Sequence, residues 1–385
     1  MIRKAYGVDK LQAQGLTGKG RTIAIVGFVI PPTLEKDLQE FSRVMKLSPP
    51  NLTVHRLTPD ANPAPFDADN ETSVATATET TLDVQMAYMM APDARIVVTE
   101  VTSVPPSTSQ QPDASIAEAI SSSLTLTAQQ ENPDVISVSY AFPEYPAADG
   151  SSSPAVAFRE ASQAFAALSE RGITLVAAAG DSGAAPAIGP RKTRVKTAYW
   201  PASDPHFLSI GGSQLHLDDS GKRTMPDTVW NDSATGQGAT GGGPSQTFSR
   251  PPYQDHVLGA FGDRRGTPDL SMTSSPHSGA ALVYQSYSPA GPGWIGVGGT
   301  SAAAPMFAGI AALADQKAGR RLGSLHEELY ALAYTPHSGI VDITQGDNGP
   351  DGFSALAGYD LASGLGTVDA SSLVPALARA VDGQR

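Results

Sequence analysis

The sequence GGTSAAAP, residues 298–305, opens an alanine-rich segment that is predicted to be a helix as far as about Lys317. Its glycine pair permits a close backbone approach immediately before the helix, and Ser301 then lies at the helix N-terminus. Free backbone N–H groups and the helix dipole at that end stabilise negative charge, which the nucleophile of an acyl transfer requires. Ser301 is therefore a candidate nucleophile. The alternative is a serine that only caps the helix, which is the commoner role at such a place.

Upstream of this helix, short β-branched and apolar runs alternate with longer alanine-rich helical patterns. That alternation predicts an α/β fold with a doubly wound, mostly parallel sheet covered by helices on both faces. The predicted strands are 22–26, 94–99, 134–139, 174–178 and 207–211, and the predicted helices are 32–45, 71–90, 115–130 and 156–171. Polar loops are predicted at 103–110, 147–153, 232–246 and 344–354. No internal repeat or linker-like change in composition divides residues 1–385, so we predict a single domain.

The overall composition excludes several classes of protein. The formal net charge of −12 argues against nucleic acid and anionic membranes as partners. The absence of cysteine excludes a cysteine nucleophile, disulfides and thiolate zinc sites. No apolar run reaches the ~18 residues that a membrane helix needs. Residues 1–4 are followed by polar sequence, not by the apolar segment of a signal peptide, so we expect any export to depend on a segment outside this chain.

A serine nucleophile needs a general base, and histidine is the usual one. The seven histidines are His55, His206, His216, His256, His277, His326 and His337. None of them stands in a glycine-rich context that would open a helix, and the first predicted strand is followed by Gly27, not by an aspartate. The sequence therefore gives little support to a Ser-His-Asp triad.

Two carboxylates in the predicted helix 71–90 offer another base. Glu79 and Asp83 are four residues apart and hence on one helical face. Their neighbours are threonines and aliphatic residues, not the lysines and arginines that usually accompany surface acids. Like charges at this separation repel, which raises the pKa of one group if the pair is buried. The alternative is a solvated acidic stripe, the commoner fate of such pairs.

A third carboxylate, Asp181, follows a predicted buried strand in the sequence AGDSG, residues 179–183. Ligands of open α/β sheets bind at the carboxyl ends of the strands, so Asp181 is placed for function. Asp-Ser-Gly is also common turn chemistry. The same tripeptide at 219–221 could suggest an aspartic peptidase, but that copy lies in a predicted polar hairpin turn and the chain shows no two equivalent lobes. We reject that interpretation.

These motifs together resemble the sedolisins, the serine-carboxyl peptidases, and most closely their kumamolisin-like branch. The motifs with catalytic residues occur in the family's order: the Glu-x-x-x-Asp helix, the Ala-Gly-Asp-Ser-Gly turn and the Gly-Thr-Ser-x-x-x-Pro helix start. Further matches lie along nearly the whole chain, at residues 5–7, 92–94, 200–203, 229–231, 241–243, 268–271, 342–344 and 358–360. The Gly-Thr-Ser sequence alone would not identify the family, because subtilisins share it. The resemblance implies a subtilisin-like fold.

The resemblance also implies an acid-acting endopeptidase mechanism. Ser301 would attack the peptide carbonyl, Glu79 would accept its proton as general base, and Asp83 would orient Glu79. Asp181, protonated at acid pH, would donate a hydrogen bond to the oxyanion, alongside the N–H of Ser301. A carboxyl group can donate only while it is neutral, so acid pH suits this role.

Two positions near the implied carboxylate network depart from the family pattern. Some relatives have a further glutamate on the first strand, where this chain has Gly27. The tryptophan that often flanks the network corresponds to Tyr140 here. These differences concern how the pKa of Glu79 is set, whereas the implied reaction class is the same.

The resemblance further implies one structural calcium ion in the C-terminal loops, at about residues 342–360. Its ligands would be the side chains of Asp342 and Asp360 and the backbone carbonyls of Ile343, Leu356 and Gly358. Carboxylates and turn carbonyls are the hard oxygen ligands that Ca²⁺ requires. The alternative is an ordinary acidic turn cluster. An EF-hand at 347–352 is rejected, because no glutamate stands at the twelfth position of such a loop and no flanking helices are apparent.

Family members are made with an N-terminal propeptide, which these 385 residues do not include. The resemblance therefore implies a secreted, mature catalytic domain that is monomeric and acts on proteins or peptides, with its own propeptide as a partner before maturation. Two alternatives stay open: a catalytically silent homologue that only binds peptides, and a neutral-pH Ser-His-Asp peptidase. Subsite preference is not readable from the sequence.

Overall fold

The computed structural model describes residues 1–56, 65–101, 114–145, 154–188, 193–257 and 261–383. The predicted loops at 103–110 and 147–153 lie outside these residues. The strands are β1 Thr22–Gly27, β2 Asn51–Arg56, β3 Arg95–Glu100, β4 Val135–Val138, β5 Phe142–Pro143, β6 Thr174–Ala178, β7 Ala187–Ile188, β8 Thr193–Arg194, β9 Tyr199–Trp200, β10 Phe207–Gln214, β11 Thr228–Val229, β12 Gly243–Ser249, β13 Arg264–Thr267, β14 Leu270–Thr273, β15 Ala281–Gln285, β16 Gly293–Val297, β17 Ile340–Val341 and β18 Thr367–Val368. The α-helices are α1 Ile2–Ala5, α2 Val8–Ala13, α3 Leu34–Met45, α4 Glu71–Met90, α5 Ala114–Glu131, α6 Ala155–Glu170, α7 Thr300–Ala318, α8 His326–Leu332 and α9 Ala370–Gly383. Two short 3₁₀ helices, Ser233–Thr235 and Pro252–Val257, lie in the connections.

The central sheet has the strand order β11-β10-β6-β4-β1-β3-β2, and β14 also pairs with β10. β11 runs antiparallel to β10, and the other pairs in this sheet are parallel. Ile23 of β1 lies beside both Ile96 of β3 and Val135 of β4, so β1 lies between these two strands. The predicted mostly parallel sheet is confirmed.

All five predicted strands are present, and β10 continues three residues beyond its predicted end, to Gln214. The sequence patterns did not identify β2. It is an edge strand, and its Val54 is 45% exposed, so it lacks the continuous apolar run of a strand buried on both faces. β14 was also missed, because four residues are too few to show a periodic pattern of apolar side chains. The predicted loop 232–246 extends into β12, which begins at Gly243.

Strand residues alternate between two hydrophobic layers, one on each face of the sheet. Ile23 and Ile25 of β1 pack in the layer that contains α3, α4, α7 and α9, whereas Ala24 and Val26 pack in the layer that contains α5 and α6. Successive side chains of a strand point to opposite faces, which produces this division. A strand covered on both faces therefore appears in the sequence as an unbroken apolar run, the pattern that predicted it.

Helix α7 lies within the first of these layers, and every residue from Thr300 to Asp315 is buried. It packs against α4. At Gly309, an added Cβ would lie 2.5 Å from Met90 Cβ, so the missing side chain lets the two helices approach closely. This packing fixes the position of the acidic residues of α4 relative to Ser301 at the start of α7.

Candidate active site

Ser301 is the second residue of α7, at the helix N-terminus that the sequence predicted. The capping residue is Gly299, with φ of 107°, a conformation that favours glycine. The Ser301 hydroxyl donates to the backbone carbonyl oxygen of Ser139 at 3.3 Å. The interpretation of Ser301 as the N-cap is therefore wrong: its hydroxyl is directed toward the end of β4, away from the backbone of its own helix.

Helix α4 carries both predicted carboxylates. It begins after Asn70, whose side chain accepts a hydrogen bond from the Ser73 N–H at 3.1 Å. Asp83 is fully buried and Glu79 is half-buried. The helix face that they share therefore points into the protein, and the interpretation as a solvated acidic stripe is wrong.

Ser139 connects Asp83 with Ser301. It directly follows β4 at the carboxyl edge of the sheet, and its hydroxyl donates to Asp83 Oδ1 at 2.8 Å. Its carbonyl oxygen accepts the hydrogen bond from Ser301. Sequence reasoning missed Ser139, although a polar residue after a buried strand was the signal that identified Asp181.

The two carboxyls of α4 have raised pKa values, mainly because burial disfavours their charged forms. The Ser301 hydroxyl partly offsets this rise for Glu79, and the negative charge of Asp181 adds to it. Charge repulsion from Glu79 further raises the pKa of Asp83. Glu79 Oε1 and Asp83 Oδ2 are buried, and no described residue forms a hydrogen bond with them. The two carboxyls of such a pair lose their protons in separate steps.

Asp181 lies in the turn after β6, next to the start of α7. Its Oδ1 accepts two hydrogen bonds from Thr300, one from the N–H at 2.8 Å and one from the hydroxyl at 2.7 Å. As a whole residue, Asp181 is exposed to solvent. Desolvation of its carboxyl raises the pKa of Asp181 more than the Thr300 hydrogen bonds lower it. The structure thus brings Asp181 to the helix end that carries Ser301.

Gly27 and Tyr140 lie beside the carboxylate pair. A Cβ at Gly27 would be 2.8 Å from Thr80 Oγ1, so the residue after Glu79 occupies the space that a side chain at position 27 would need. The Tyr140 hydroxyl accepts a hydrogen bond from the Phe28 N–H at 3.4 Å. Burial raises the pKa of Tyr140, and the charges of the pair raise it further. Neither Gly27 nor Tyr140 therefore places a charged side chain beside the carboxylate pair.

The histidines with side-chain partners among the described residues bond to groups other than Ser301. His326 is buried and bonds to the Phe207 carbonyl oxygen, and His55 pairs with Glu131. In the part of the chain that the structure describes, no histidine forms a hydrogen bond with Ser301. The hydrogen bonds around Ser301 therefore give no support to a Ser-His-Asp triad.

The predicted calcium ligands lie in two C-terminal segments, which a hydrogen bond from Gly358 to Asp342 joins. Asp342 Oδ2 accepts from the Gly358 N–H and Asp360 Oδ2 accepts from the Leu356 N–H, both at 2.8 Å. Ile343 follows Asp342 directly, so carboxylates and carbonyls of the predicted set lie close together. No group of three or more metal-ligating side chains occurs among the described residues, so a metal here would depend on backbone carbonyls. The all-oxygen donor set fits Ca²⁺, and the N–H bonds to both carboxylates fit an acidic turn equally well.

Known proteins resemble this chain in sequence over most of its length. A model of the subtilase family matches residues 52–338. The chain is 31% identical over 382 residues to kumamolisin from Bacillus sp. (strain MN-32), and the aligned region covers 94% of this chain and 61% of kumamolisin. The chain belongs to the subtilase family. It is also 34% identical over 179 residues to sedolisin from Pseudomonas sp. (strain 101), over 45% of this chain and 29% of that protein.

Solved structures show the same fold. Pseudomonas sedolisin, a serine-carboxyl proteinase complexed with two molecules of pseudo-iodotyrostatin, matches with a TM-score of 0.76 at 24% identity, covering 93% of this chain and 92% of sedolisin. The predicted subtilisin-like fold is confirmed, and the family is one of serine-type peptidases. The chain spans 61% of the length of kumamolisin. None of the helices within the described ranges is long and apolar enough to cross a membrane.

Proposed function

We propose that this chain is an acid-acting serine-carboxyl endopeptidase with Ser301 as its nucleophile. The observation that carries the proposal is that three carboxyls with raised pKa values lie near a serine with which no described histidine forms a hydrogen bond. A serine hydroxyl needs a base to accept its proton, and Glu79 is the carboxyl whose pKa the Ser301 hydroxyl affects. An oxyanion needs a donor, and Asp181 is bound to the first residue of the helix that carries the nucleophile.

In the acylation step, Ser301 Oγ attacks the carbonyl carbon of the scissile peptide bond, and its proton passes to Glu79. The carbonyl electron pair moves to the oxygen, which accepts hydrogen bonds from the protonated Asp181 carboxyl and the Ser301 N–H. Collapse of this intermediate breaks the C–N bond, and Glu79 gives its proton to the leaving amine. Water then attacks the acyl-enzyme, Glu79 accepts the water proton, and that proton returns to Ser301 as the acid product leaves.

Two protonation requirements restrict this mechanism to acid pH. Asp181 donates only while it is protonated, and its raised pKa extends the range of that form. The pair of Glu79 and Asp83 must carry one negative charge to accept the serine proton, while burial favours retention of its other proton. Activity should therefore rise as the pair loses its first proton and fall as Asp181 loses its own.

The finer features implied by the family resemblance belong to the same proposal. One calcium ion would be held by Asp342 and Asp360 through their side chains and by Ile343, Leu356 and Gly358 through their carbonyls. It would stabilise the C-terminal loops without taking part in the reaction. Residues 1–385 would form a single peptidase domain that is secreted, processed from an N-terminal propeptide and monomeric, and that cleaves protein or peptide substrates.

A pH profile of kcat/KM on a mixed peptide library, together with covalent labelling by a peptide aldehyde, tests this function. We expect a bell-shaped profile with its maximum below neutrality, and labelling that Ser301→Ala abolishes. Activity that increases through about pH 6 to 8, as a histidine loses its proton, would support the Ser-His-Asp alternative instead. Peptide binding without labelling or cleavage would support a silent homologue.

A further inference from the structure

The two carboxyl oxygens of Asp181 have different surroundings. Oδ1 accepts both hydrogen bonds from Thr300, whereas no described residue donates to Oδ2. Oδ2 lies beside Gly299, where a Cβ would approach it to 2.6 Å, so the glycine leaves this oxygen open. A proton on Oδ1 would have to displace one of the two donors. The carboxyl proton therefore belongs on Oδ2, the oxygen that can donate to a substrate.

The direction of the Thr300 hydroxyl hydrogen bond is determined by a second partner. The Gly180 N–H donates to Thr300 Oγ1 at 3.0 Å, and a backbone N–H can only donate. The single hydroxyl hydrogen of Thr300 is then available for Asp181 Oδ1, 2.7 Å away. Thr300 is 1% exposed, and its hydrogen bond with the Gly180 N–H is buried.

We propose that Thr300 is a positioning residue that makes Asp181 Oδ2 the donor oxygen and sets the upper pH limit of the reaction. This inference rests on the proposed function, in which Asp181 must be protonated. The Thr300 hydroxyl stabilises the carboxylate form, and so it holds the pKa of Asp181 below the value that burial alone would produce. Two opposing influences, burial and Thr300, thus determine where activity ends on the alkaline side.

Two titratable groups of the described residues face Asp181 from other elements. Glu79 on α4 and Asp181 repel each other when both are charged. Burial raises the pKa of the Tyr199 phenol on β9, and the Asp181 charge raises it further, so the phenol stays neutral in the acid range. Thr300 itself carries no charge. Removal of its hydroxyl therefore changes one interaction of Asp181 and leaves the neighbouring charges in place.

Thr300→Val tests the proposal, because it keeps the branched shape of the side chain and removes the hydroxyl. We expect the alkaline limb of its kcat/KM profile to move up by about one pH unit, since loss of a hydrogen bond to a carboxylate favours the protonated form. Below that limb, kcat should fall by about tenfold with KM unchanged, because the proton is no longer confined to Oδ2. Thr300→Ser keeps the hydroxyl and should restore both values.

Thr174→Val is a matched control. Thr174 is a buried threonine at the start of β6, where its hydroxyl donates to the Gly323 carbonyl oxygen at 2.6 Å. It should lower the melting temperature without moving the pH profile. If Thr300→Val does not fold, Thr300→Ala serves for the same measurement.

A folded, active Thr300→Val enzyme whose alkaline limb is unchanged, or lies at lower pH, overturns the proposal. Failure of the proposed function itself would look different. In that case Ser301→Ala would keep its activity, or the alkaline limb of the wild type would not respond to Asp181→Asn.

Discussion

Asp83 is a fully buried carboxyl group, and the Ser139 hydroxyl donates to one of its oxygens. A single neutral donor does not compensate the loss of hydration of a carboxylate. The pair that Asp83 forms with Glu79 therefore favours a shared proton, and its one negative charge would serve Glu79 in its proposed role as base. Tyr140, which lies beside the pair, is neutral. It supplies no positive charge that would favour loss of the shared proton.

Amide substitutions test the two carboxylates of α4. Glu79→Gln and Asp83→Asn should each lower kcat by about 10²- to 10⁴-fold with little change in KM, because proton transfer occurs in the transition state. Glu71→Gln is the control, since Glu71 is an exposed residue in the first turn of the same helix. A variant such as His277→Gln that was as inactive as Glu79→Gln would refute the carboxylate base.

Two substitutions of Asp181 separate a neutral donor from an ionised carboxylate. In Asp181→Asn, the Thr300 donors should hold the amide oxygen and leave the NH₂ group at the position of Oδ2. This variant should keep some activity and extend it to higher pH, because an amide does not ionise. Asp181→Ala should lose about 10²- to 10³-fold in kcat at every pH. Equal losses in both variants, with a wild type most active above neutrality, would exclude the acid mechanism.

The candidate active site is assembled from four segments that are distant in the chain: the middle of α4, the residues after β4, the residues after β6, and the start of α7. Parallel strands place their carboxyl ends at one edge of the sheet, and that edge receives Ser139 and Asp181. Helix α7 brings Ser301 to the same edge. Rigid elements of this kind hold reacting groups more accurately than loops do.

The loop region 342–360 is the proposed calcium site. A chelator should lower the melting temperature of the wild type, because an ion that binds only the folded state stabilises it. Asp342→Asn removes one proposed ligand at nearly constant size and should abolish the chelator effect. Asp263→Asn should keep the effect, since the Asp263 side chain is 96% exposed. An unchanged wild-type melting temperature in excess chelator would favour an acidic turn without metal.

The molecule as a whole is acidic, with a net charge of −12. Some of its carboxyl groups are buried away from the candidate active site. Asp204 and Asp315 each accept a backbone N–H on Oδ1, and their buried Oδ2 atoms have no partner among the described residues. Burial raises the pKa of each carboxyl to about 7. The folded protein therefore retains protons at mildly acid pH that the unfolded chain has already released.

This difference predicts a protein that is more stable in mild acid than at alkaline pH. The ordinary pKa of these groups is 3.8, and it is raised in the folded state. Their contribution to stability is complete below the unfolded value and is lost as pH rises through about 7, by about 1.4 kcal/mol for each pKa unit. Urea unfolding at about pH 5 and pH 8 measures the loss.

Asp204→Asn should reduce that difference in unfolding free energy between the two pH values. The exposed Asp219 provides the control, and Asp219→Asn should leave the difference unchanged. A wild type whose stability increased between the two pH values would show that these carboxyls ionise inside the folded protein without penalty.

The sequence by itself determined the parallel sheet, the helices that cover it and the start of α7 just before Ser301. Each of these depends on a local pattern: an unbroken apolar run for a strand such as β6, and a glycine pair before an alanine-rich segment for the helix. Glu79, Asp83 and Asp181 were identified by their neighbours and their place after or within such elements. The edge strand β2 was missed because its exposed residues interrupt the apolar run that would predict a strand.

Only the tertiary structure decided how these residues interact. A pair of acids four residues apart has the same sequence pattern on a solvated helix as on a buried one, so the burial that raises the pKa of Asp83 could not be inferred from α4 alone. The bond from Ser139 to Asp83 joins residues 56 positions apart, and the bonds from Thr300 to Asp181 span 119 positions. Desolvation and hydrogen bonding depend on what lies nearby in space, and for this site those neighbours come from distant parts of the chain.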